Sequence, residues 1–343
     1  MDILENPWRG VGLPDERLGD APWPAADATP VAALLARCPA AVETPLVEVP
    51  KFGCGLWLKD ERGRMGLGSF KALGAAYVIA CDAVATGAED MGRALEGRTY
   101  VTASAGNHGL SVAAGARVFG ARAVVYLAET VPEGFAARLR GKGACVRRAG
   151  ADYAGSMAAA EVAAAAGEGT LLSDSSWPGY TALPHRLMEG YLAIAAEITA
   201  RVPAPPDVIA LQAGVGGMAA AVAAHLRAAW GAGPRIVVVE PEFAPALMGS
   251  IRAGHPVVAE GPVSVMGRLD CKAPSLIALK GLARDADAFA TVSEREAAGV
   301  LPALAECGLA TTPSGAAGVA AIAAMGLRPE MRALAILSEE AEG

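Results

Sequence analysis

Apolar residues along this chain fall into short continuous runs, separated by longer stretches with helical spacing. Runs at 99–102, 123–127, 145–148, 171–173, 208–212, 236–239, 289–292 and 334–337 predict strands. The intervening stretches 110–119, 132–140, 152–166, 180–200, 218–230, 294–307 and 316–325 predict helices. An unbroken run such as Ile236-Val237-Val238-Val239 marks a parallel strand buried on both faces. Strand–helix alternation of this kind predicts an α/β chain with parallel sheets covered by helices. A further strand ends near Lys59, and a helix is expected to open at Lys71 after a glycine-rich turn. The first 30 residues hold five prolines and two tryptophans without a period. They are expected to form an irregular arm packed on the core.

A length of 343 residues is enough for one large or two medium domains. With 53% hydrophobic and 19% charged residues, a sizeable core is expected and disorder is not. A net charge of −7 argues against a nucleic-acid partner. Mean hydropathy of +0.35 raises the question of a membrane. The apolar stretches are interrupted, however: Glu161 and Glu168 break one, and Gly214, Gly216, Gly217, His225 and Arg227 break another. No run reaches about 18 strongly apolar residues, so no membrane span is expected. The start lacks a basic segment followed by an apolar run, so no secretory signal is expected, and a cytoplasmic location follows. Six cysteines show no CxxC spacing. They are expected to be mostly buried small hydrophobes, and zinc is not expected.

Four segments could carry chemistry. Lys71 follows a glycine-rich turn at a helix start, where the dipole favours a neutral, nucleophilic amine; alone it reads as an ordinary exposed lysine. The turn Ser104-Ala105-Gly106-Asn107-His108 lies between a strand and a helix, so its free amides suit a carboxylate; alone it is a capped tight turn. Gly214-Val215-Gly216-Gly217-Met218 could let backbone amides approach a phosphate. It lacks GxGxxG spacing, and no GxxxxGK[ST] element exists. Ser338 ends the last apolar run, at the ligand edge of a parallel sheet.

Together the four are what a pyridoxal 5'-phosphate enzyme requires. From Thr44-Pro45-Leu46 to Ser338 the chain resembles the tryptophan-synthase-β-like (fold type II) group, with the elements in the family order. Within it, residues 59–74, ending Gly66-Leu67-Gly68-Ser69-Phe70-Lys71-Ala72-Leu73-Gly74, resemble diaminopropionate ammonia-lyase. So do Asp174-Ser175-Ser176-Trp177-Pro178-Gly179-Tyr180, Met266-Gly267-Arg268-Leu269-Asp270-Cys271 and Ser314-Gly315-Ala316-Ala317.

The resemblance implies roles. Lys71 would form the Schiff base and then act as base on the substrate α-carbon, with Phe70 beside the cofactor. Gly214, Val215, Gly216, Gly217 and Met218 would cup the phosphate. Asn107 would bond the phenolic oxygen, and Ser338 would face the pyridine nitrogen. Ser104, Ala105, Gly106 and His108 would line the substrate carboxylate site. A hydroxyl at the ring nitrogen does not force its protonation, which favours α,β-elimination over transamination. Asp174 matches the family aspartate tied to the L-isomer. Ala105 stands where the family has an aspartate tied to the D-isomer, so D-substrate use and racemisation are not expected. Arg268 stands where the family usually has glycine; it would bind an acidic substrate side chain through a bidentate pair or point to solvent. Lys272-Ala273 replaces Gly-Glu, and the chain is shorter than typical members.

The expected architecture is a large cofactor-binding domain (1–93 and 171–343) with a small mobile α/β domain (94–170). The expected protein is a homodimer whose partner is a small L-amino acid, and whose products are ammonia and a 2-oxo acid. Alternatives are a serine/threonine or hydroxyaspartate dehydratase, and a catalytically silent ligand-binding relative. A nicotinamide oxidoreductase fails on glycine spacing, although Glu240 follows the glycine turn at a suitable distance.

Overall fold

The computed structural model describes residues 1–341; the last two residues of the expected large domain lie outside them. Eleven strands run in chain order among these residues. They are β1 (Asp2–Glu5), β2 (Leu46–Val49), β3 (Gly55–Asp60), β4 (Thr99–Ala103), β5 (Arg122–Leu127) and β6 (Cys145–Arg148). Then come β7 (Thr170–Leu171), β8 (Val208–Gln212), β9 (Arg235–Pro241), β10 (Ala288–Val292) and β11 (Arg332–Leu337). A seven-stranded sheet has the order β1-β10-β9-β8-β11-β3-β2, and a four-stranded sheet the order β6-β5-β4-β7. Only the two edge pairings of the large sheet, β1 with β10 and β2 with β3, are antiparallel. The four-stranded sheet is parallel throughout.

The central strands are buried on both faces, as their unbroken apolar runs require: every residue of β8 and β10 is buried. Helices cover the large sheet on both sides. Gly217–Trp230 and Leu276–Asp285 pack on one face, and Pro313–Met325 on the other. Alanine is what lets them sit close, since the 217–230 and 313–325 helices are largely Ala and Gly and almost fully buried along their first nine residues. No helix of the described residues is long and apolar enough to cross a membrane.

Several expectations need correction. The N-terminal arm is not wholly irregular: Asp2–Glu5 pairs antiparallel with β10. An edge strand needs only backbone partners on one side, so Asp-Ile-Leu-Glu carries no pattern that announces it. The single helix expected over 180–200 is two, Ala182–Gly190 and Leu192–Arg201, jogged at Tyr191. Gly190 packs so tightly there that a Cβ would lie 2.1 Å from the Leu73 carbonyl oxygen. The helix expected over 294–307 breaks at Val300, because Pro302 cannot donate to the preceding turn. The strand expected at 171–173 is Thr170–Leu171, after which the chain leaves the sheet. Strand β2 and the helices Ala246–Ala253 and Leu276–Asp285 had no distinct signal in the pattern, and the helix expected to open at Lys71 begins at Ala75. Of the six cysteines only Cys54 is buried; Cys38 and Cys145 are exposed, and all six are free thiols.

The stretch from β3 to Lys71 is held by a buried charge network. Lys59 Nζ donates to the Thr44 carbonyl at 2.5 Å and lies 2.5 Å from Glu197 Oε2. Arg64 bridges Glu61 and Glu197, each at 2.7 Å. Four charges that balance and bond one another can be buried; any one left alone would be costly. They anchor the turn that carries the chain from the sheet edge back to Lys71.

Candidate active site

The ends of five parallel strands converge. The segments that leave β3, β4, β7, β8 and β11 at their carboxyl ends carry Lys71, the Ser104–His108 turn, Asp174, the glycine turn and Ser338 respectively. This is where ligands bind in open α/β sheets, because the turns there are free to vary while the strands are not.

Lys71 does not open an α-helix. It sits in a one-turn 3-10 helix, Phe70–Leu73, before Ala75–Ala85 begins. Its Nζ donates to Asp174 Oδ2 at 2.5 Å, a contact between residues 103 positions apart. The expected neutral amine is therefore corrected. Burial alone would strip the proton, but Asp174, with Tyr191 adding, outweighs it and holds the ammonium well above the usual lysine range. Burial would likewise raise the Asp174 carboxyl, but Lys71 and His108 hold it well below the usual carboxylate range. Asp174 caps no helix.

The motif around Asp174 explains its placement. Trp177 and Tyr180 exchange backbone hydrogen bonds and stack their rings 4.4 Å apart. Gly179 takes φ +82° in that turn, a conformation that side chains rarely adopt. The Tyr180 hydroxyl accepts from Ser173 N at 3.1 Å and donates to the Leu171 carbonyl at 2.9 Å. Ser176 bonds Ser275 and the amide of Ile277. Asp174 is thus pinned on both sides.

Phe70 meets Tyr191 edge-on, with ring centroids 5.0 Å apart. Tyr191 was not singled out from sequence, yet its ring centre is 5.9 Å from Lys71 Nζ. Its hydroxyl is buried without a hydrogen-bond partner among the described residues, and burial pushes its pKa up to about 12.

In the turn after β4, the Ser104 hydroxyl faces its own loop. Its oxygen accepts from Gly106 N at 3.2 Å and Gly109 N at 3.1 Å. His108 is buried, and its Nε2 lies 2.8 Å from the Leu172 carbonyl oxygen. A carbonyl only accepts, so Nε2 carries the proton. Burial, with Lys71 adding, holds this imidazole below its usual range, so it is neutral at pH 7. His108 thereby ties the helix Asn107–Val118 to the segment just before Asp174. Asn107 Nδ2 donates to Glu339 Oε2 at 2.6 Å.

The glycine turn precedes helix Gly217–Trp230, whose first helical bond runs from Ala220 N to the Gly216 carbonyl. The amides of Gly217, Met218 and Ala219 therefore lie in the open first turn. Gly216 has φ +95°, and a Cβ there would come 3.0 Å from Ala278 Cβ and 3.1 Å from Leu247 Cδ1. A Cβ on Gly214 would come 2.9 Å from Cys271 Sγ. Val215 holds the turn by accepting from Ser275 N at 3.0 Å. Glycine is required by both conformation and space. Gly216→Ala is expected to cost about 1–2 kcal/mol of stability and to weaken cofactor binding at least tenfold, measured by urea unfolding and fluorescence titration.

Ser338 is buried at the end of β11, where its carbonyl accepts from Phe70 N at 3.1 Å. Its neighbour Glu339 was missed. Glu339 is buried, bonds Asn107, and accepts from the Thr312 hydroxyl. Arg268 is 30% exposed at its side chain; its Nη1 donates to the Ala105 carbonyl at 3.1 Å and its Nε is 3.7 Å from Glu339 Oε2. The solvent-pointing alternative for Arg268 is therefore not what forms. Asn107, Arg268, Thr312 and Glu339 line a cavity of about 280 Å³ together with Gly68 and Arg138.

Glu240 has no cofactor role in this geometry. Its carboxylate is fully buried and accepts from Leu247 N and Met248 N, each at 2.7 Å, at the start of helix Ala246–Ala253. It is a helix cap, so the nicotinamide reading loses its acidic partner.

These residues fit a phosphorylated pyridine aldehyde. An amine stands on a rigid turn, and a glycine cradle with open amides lies at a helix start. Tyr191 joins the two: its Cε2 lies 3.8 Å from where a Gly217 Cβ would be. Comparison with known proteins agrees. Diaminopropionate ammonia-lyase of Salmonella typhimurium is 31% identical over 250 residues, 66% of this chain and 62% of that protein. The match thus spans less than two thirds of that relative's length. The structure of Escherichia coli diaminopropionate ammonia-lyase in complex with an aminoacrylate–pyridoxal-phosphate azomethine intermediate superposes with a TM-score of 0.87 at 25% identity, covering 99% of this chain and 93% of that one. A putative threonine dehydratase of Sinorhizobium fredii is 35% identical over 162 residues, 47% of this chain and 46% of that protein. Residues 38–339 match the family described as pyridoxal-phosphate dependent enzyme, and the chain belongs to that family.

Proposed function

We propose that this chain is an ammonia-lyase of the diaminopropionate type, which eliminates the β-substituent of a small L-amino acid. The observation that carries the reading is the Lys71–Asp174 pair, held by the Asp174-to-Tyr180 motif. Pyridoxal phosphate, when bound, withdraws electrons from the α-carbon of an attached amino acid.

The chain's own residues do the rest. Lys71 anchors the cofactor and returns as an amine beside the α-carbon. Once its charge is engaged, Asp174 loses the cation that depresses its pKa, and burial raises it. Asp174 then becomes able to take the α-proton of the L-isomer. The amides at 217–219 hold the phosphate. The loop at 104–108 offers backbone amides to the substrate carboxylate, and His108 holds the loop against the Asp174 segment. Ser338 offers a hydroxyl to the ring nitrogen. Departure of the β-amino group as ammonia leaves an enamine, which water converts to the 2-oxo acid and a second ammonia. Residues 94–170 would act as a small mobile domain that closes over the cleft and excludes water. A cytoplasmic homodimer belongs to the same proposal.

A dehydratase is the second reading. Ala105, which can neither give nor take a proton, favours it, as does the relative named a putative threonine dehydratase. An acidic substrate side chain is disfavoured, since Arg268 already faces Glu339. The test is release of ammonia and 2-oxo acid from D- and L-diaminopropionate, L-serine, L-threonine and β-hydroxyaspartate. Turnover of L-diaminopropionate but not its D-isomer is expected. Turnover of hydroxy acids alone would move the chain to the dehydratases, and equal turnover of both diaminopropionate isomers would sink the reading of Ala105.

A further inference from the structure

We propose that Glu339 is a positioning residue: its carboxylate sets which way the Asn107 amide faces and, with Arg268, fixes the 104–108 loop to the large sheet. The proposal rests on the cofactor reading above, with Asn107 as donor to the cofactor's phenolic oxygen.

Glu339 draws together four separate parts of the chain. Its Oε2 accepts from Asn107 Nδ2 at 2.6 Å, across 232 residues. Its other carboxylate oxygen accepts from the Thr312 hydroxyl. Its carbonyl accepts from the Thr311 hydroxyl at 2.5 Å. Its backbone pairs with Ser69, two residues before Lys71, and the flanking bonds Phe70 N to Ser338 O and Glu340 N to Gly68 O continue that ladder. Arg268 reaches the same carboxylate at 3.7 Å while donating to the Ala105 carbonyl at 3.1 Å. Arg268 is itself seated by the Ser314 hydroxyl, which accepts from its backbone N at 3.1 Å. The turn that carries Lys71 and the turn that carries Asn107 are therefore joined through one buried residue, by its backbone on one side and its carboxylate on the other.

The chemistry follows from what a carboxylate can do. An ionised carboxylate only accepts, whereas a side-chain amide has a donor end and an acceptor end of nearly equal shape. Beside Glu339, the Asn107 amide must present its nitrogen; its carbonyl oxygen would be repelled. The charge-assisted bond also shortens and strengthens the contact. With glutamine at 339 the partner could turn its own amide, and the choice of flip would be lost. Arg268 would then lose the carboxylate it faces at 3.7 Å, which loosens the loop it holds. Loss of the amide donor leaves the phenolic oxygen more basic, which favours a proton on the Lys71 nitrogen once that nitrogen is joined to the cofactor.

The test uses the full chain with pyridoxal 5'-phosphate added. Two readouts are followed: the pH midpoint of the visible band of the Lys71-linked cofactor, and hydrogen exchange of residues 104–109. Glu339→Gln should keep the band but raise its midpoint by about one pH unit. Exchange in the loop should speed up about tenfold, also in the cofactor-free protein. In an Asn107→Ala background the same substitution should no longer raise the midpoint. Thr312→Val, which removes one hydroxyl from the carboxylate together with the cap on Gly315 N, should shift both readouts the same way by less, and it decides the matter if Glu339→Gln does not fold. A variant that matches the parent in both readouts overturns the proposal, as does a full shift that persists without Asn107. If the parent shows no visible band, the cofactor reading fails instead, and exchange in the cofactor-free protein still decides for or against Glu339.

Discussion

Lys71→Ala is expected to abolish the visible absorbance of the cofactor-loaded protein and to lower 2-oxo acid release by about 10⁴-fold. Lys71 carries the amine that can form an imine with an aldehyde, and in the proposed reaction it returns beside the α-carbon. Retained turnover would sink its assignment. A second signature of Lys71→Ala separates lost chemistry from lost folding. In the parent, Asp174 is held below the ordinary carboxylate range by Lys71. A depressed carboxyl contributes stability that is present above its unfolded value, about pH 4, and is lost as pH falls through its folded value. In Lys71→Ala only His108, neutral near pH 7, and a backbone hydrogen bond remain to oppose burial. The carboxyl then titrates above its unfolded value, and stability falls as pH rises beyond about 4. Urea midpoints of the cofactor-free proteins between about pH 4 and 7 should therefore slope downward in the variant relative to the parent. Parallel slopes would mean that the Lys71–Asp174 pair does not form in solution.

Asp174→Asn keeps the shape and removes the charge. Lys71 then loses the counter-charge that holds its proton, and burial lowers its pKa, since burial is the first influence acting on it. Cofactor should attach to this variant at lower pH than in the parent. Turnover of L-diaminopropionate should nevertheless fall by about 10²–10⁴-fold, the usual share of a general base. This split, with the band kept and turnover lost, is the mark of a catalytic carboxylate. Unchanged turnover in Asp174→Asn would reduce Asp174 to a counter-ion for Lys71. Asp174→Ala would be less informative, because it also opens space beside the buried amine.

The parts legible in the sequence share a cause. The glycine turn, the 104–108 turn and the Asp174-to-Tyr180 motif are local devices. Gly216 at φ +95° and Gly179 at φ +82° are written in the chain because no other residue adopts those angles cheaply. Strand β8 lies at the predicted position, because a doubly buried parallel strand must be apolar at every residue or nearly so. Elements whose existence depends on a partner were not legible. Strand β1 exists because β10 has an open edge. The jog at Tyr191 exists because Gly190 must pass close to the Leu73 carbonyl.

The sequence by itself therefore determined much of the strand–helix order, the glycine cradle and the amine, each from residues within a few positions of one another, and the cofactor class from four such segments taken together. Tertiary structure decided the charges. Lys71 meets Asp174 across 103 residues, Asn107 meets Glu339 across 232, and Arg268 meets Ala105 across 163. Local pattern predicted a neutral lysine and an arginine open to substrate or solvent. The fold made an ammonium held by a carboxylate, and an arginine facing Glu339. The physical reason is that a protonation state depends on burial and on the nearest opposite charge, and both are set only when distant segments close on one cleft.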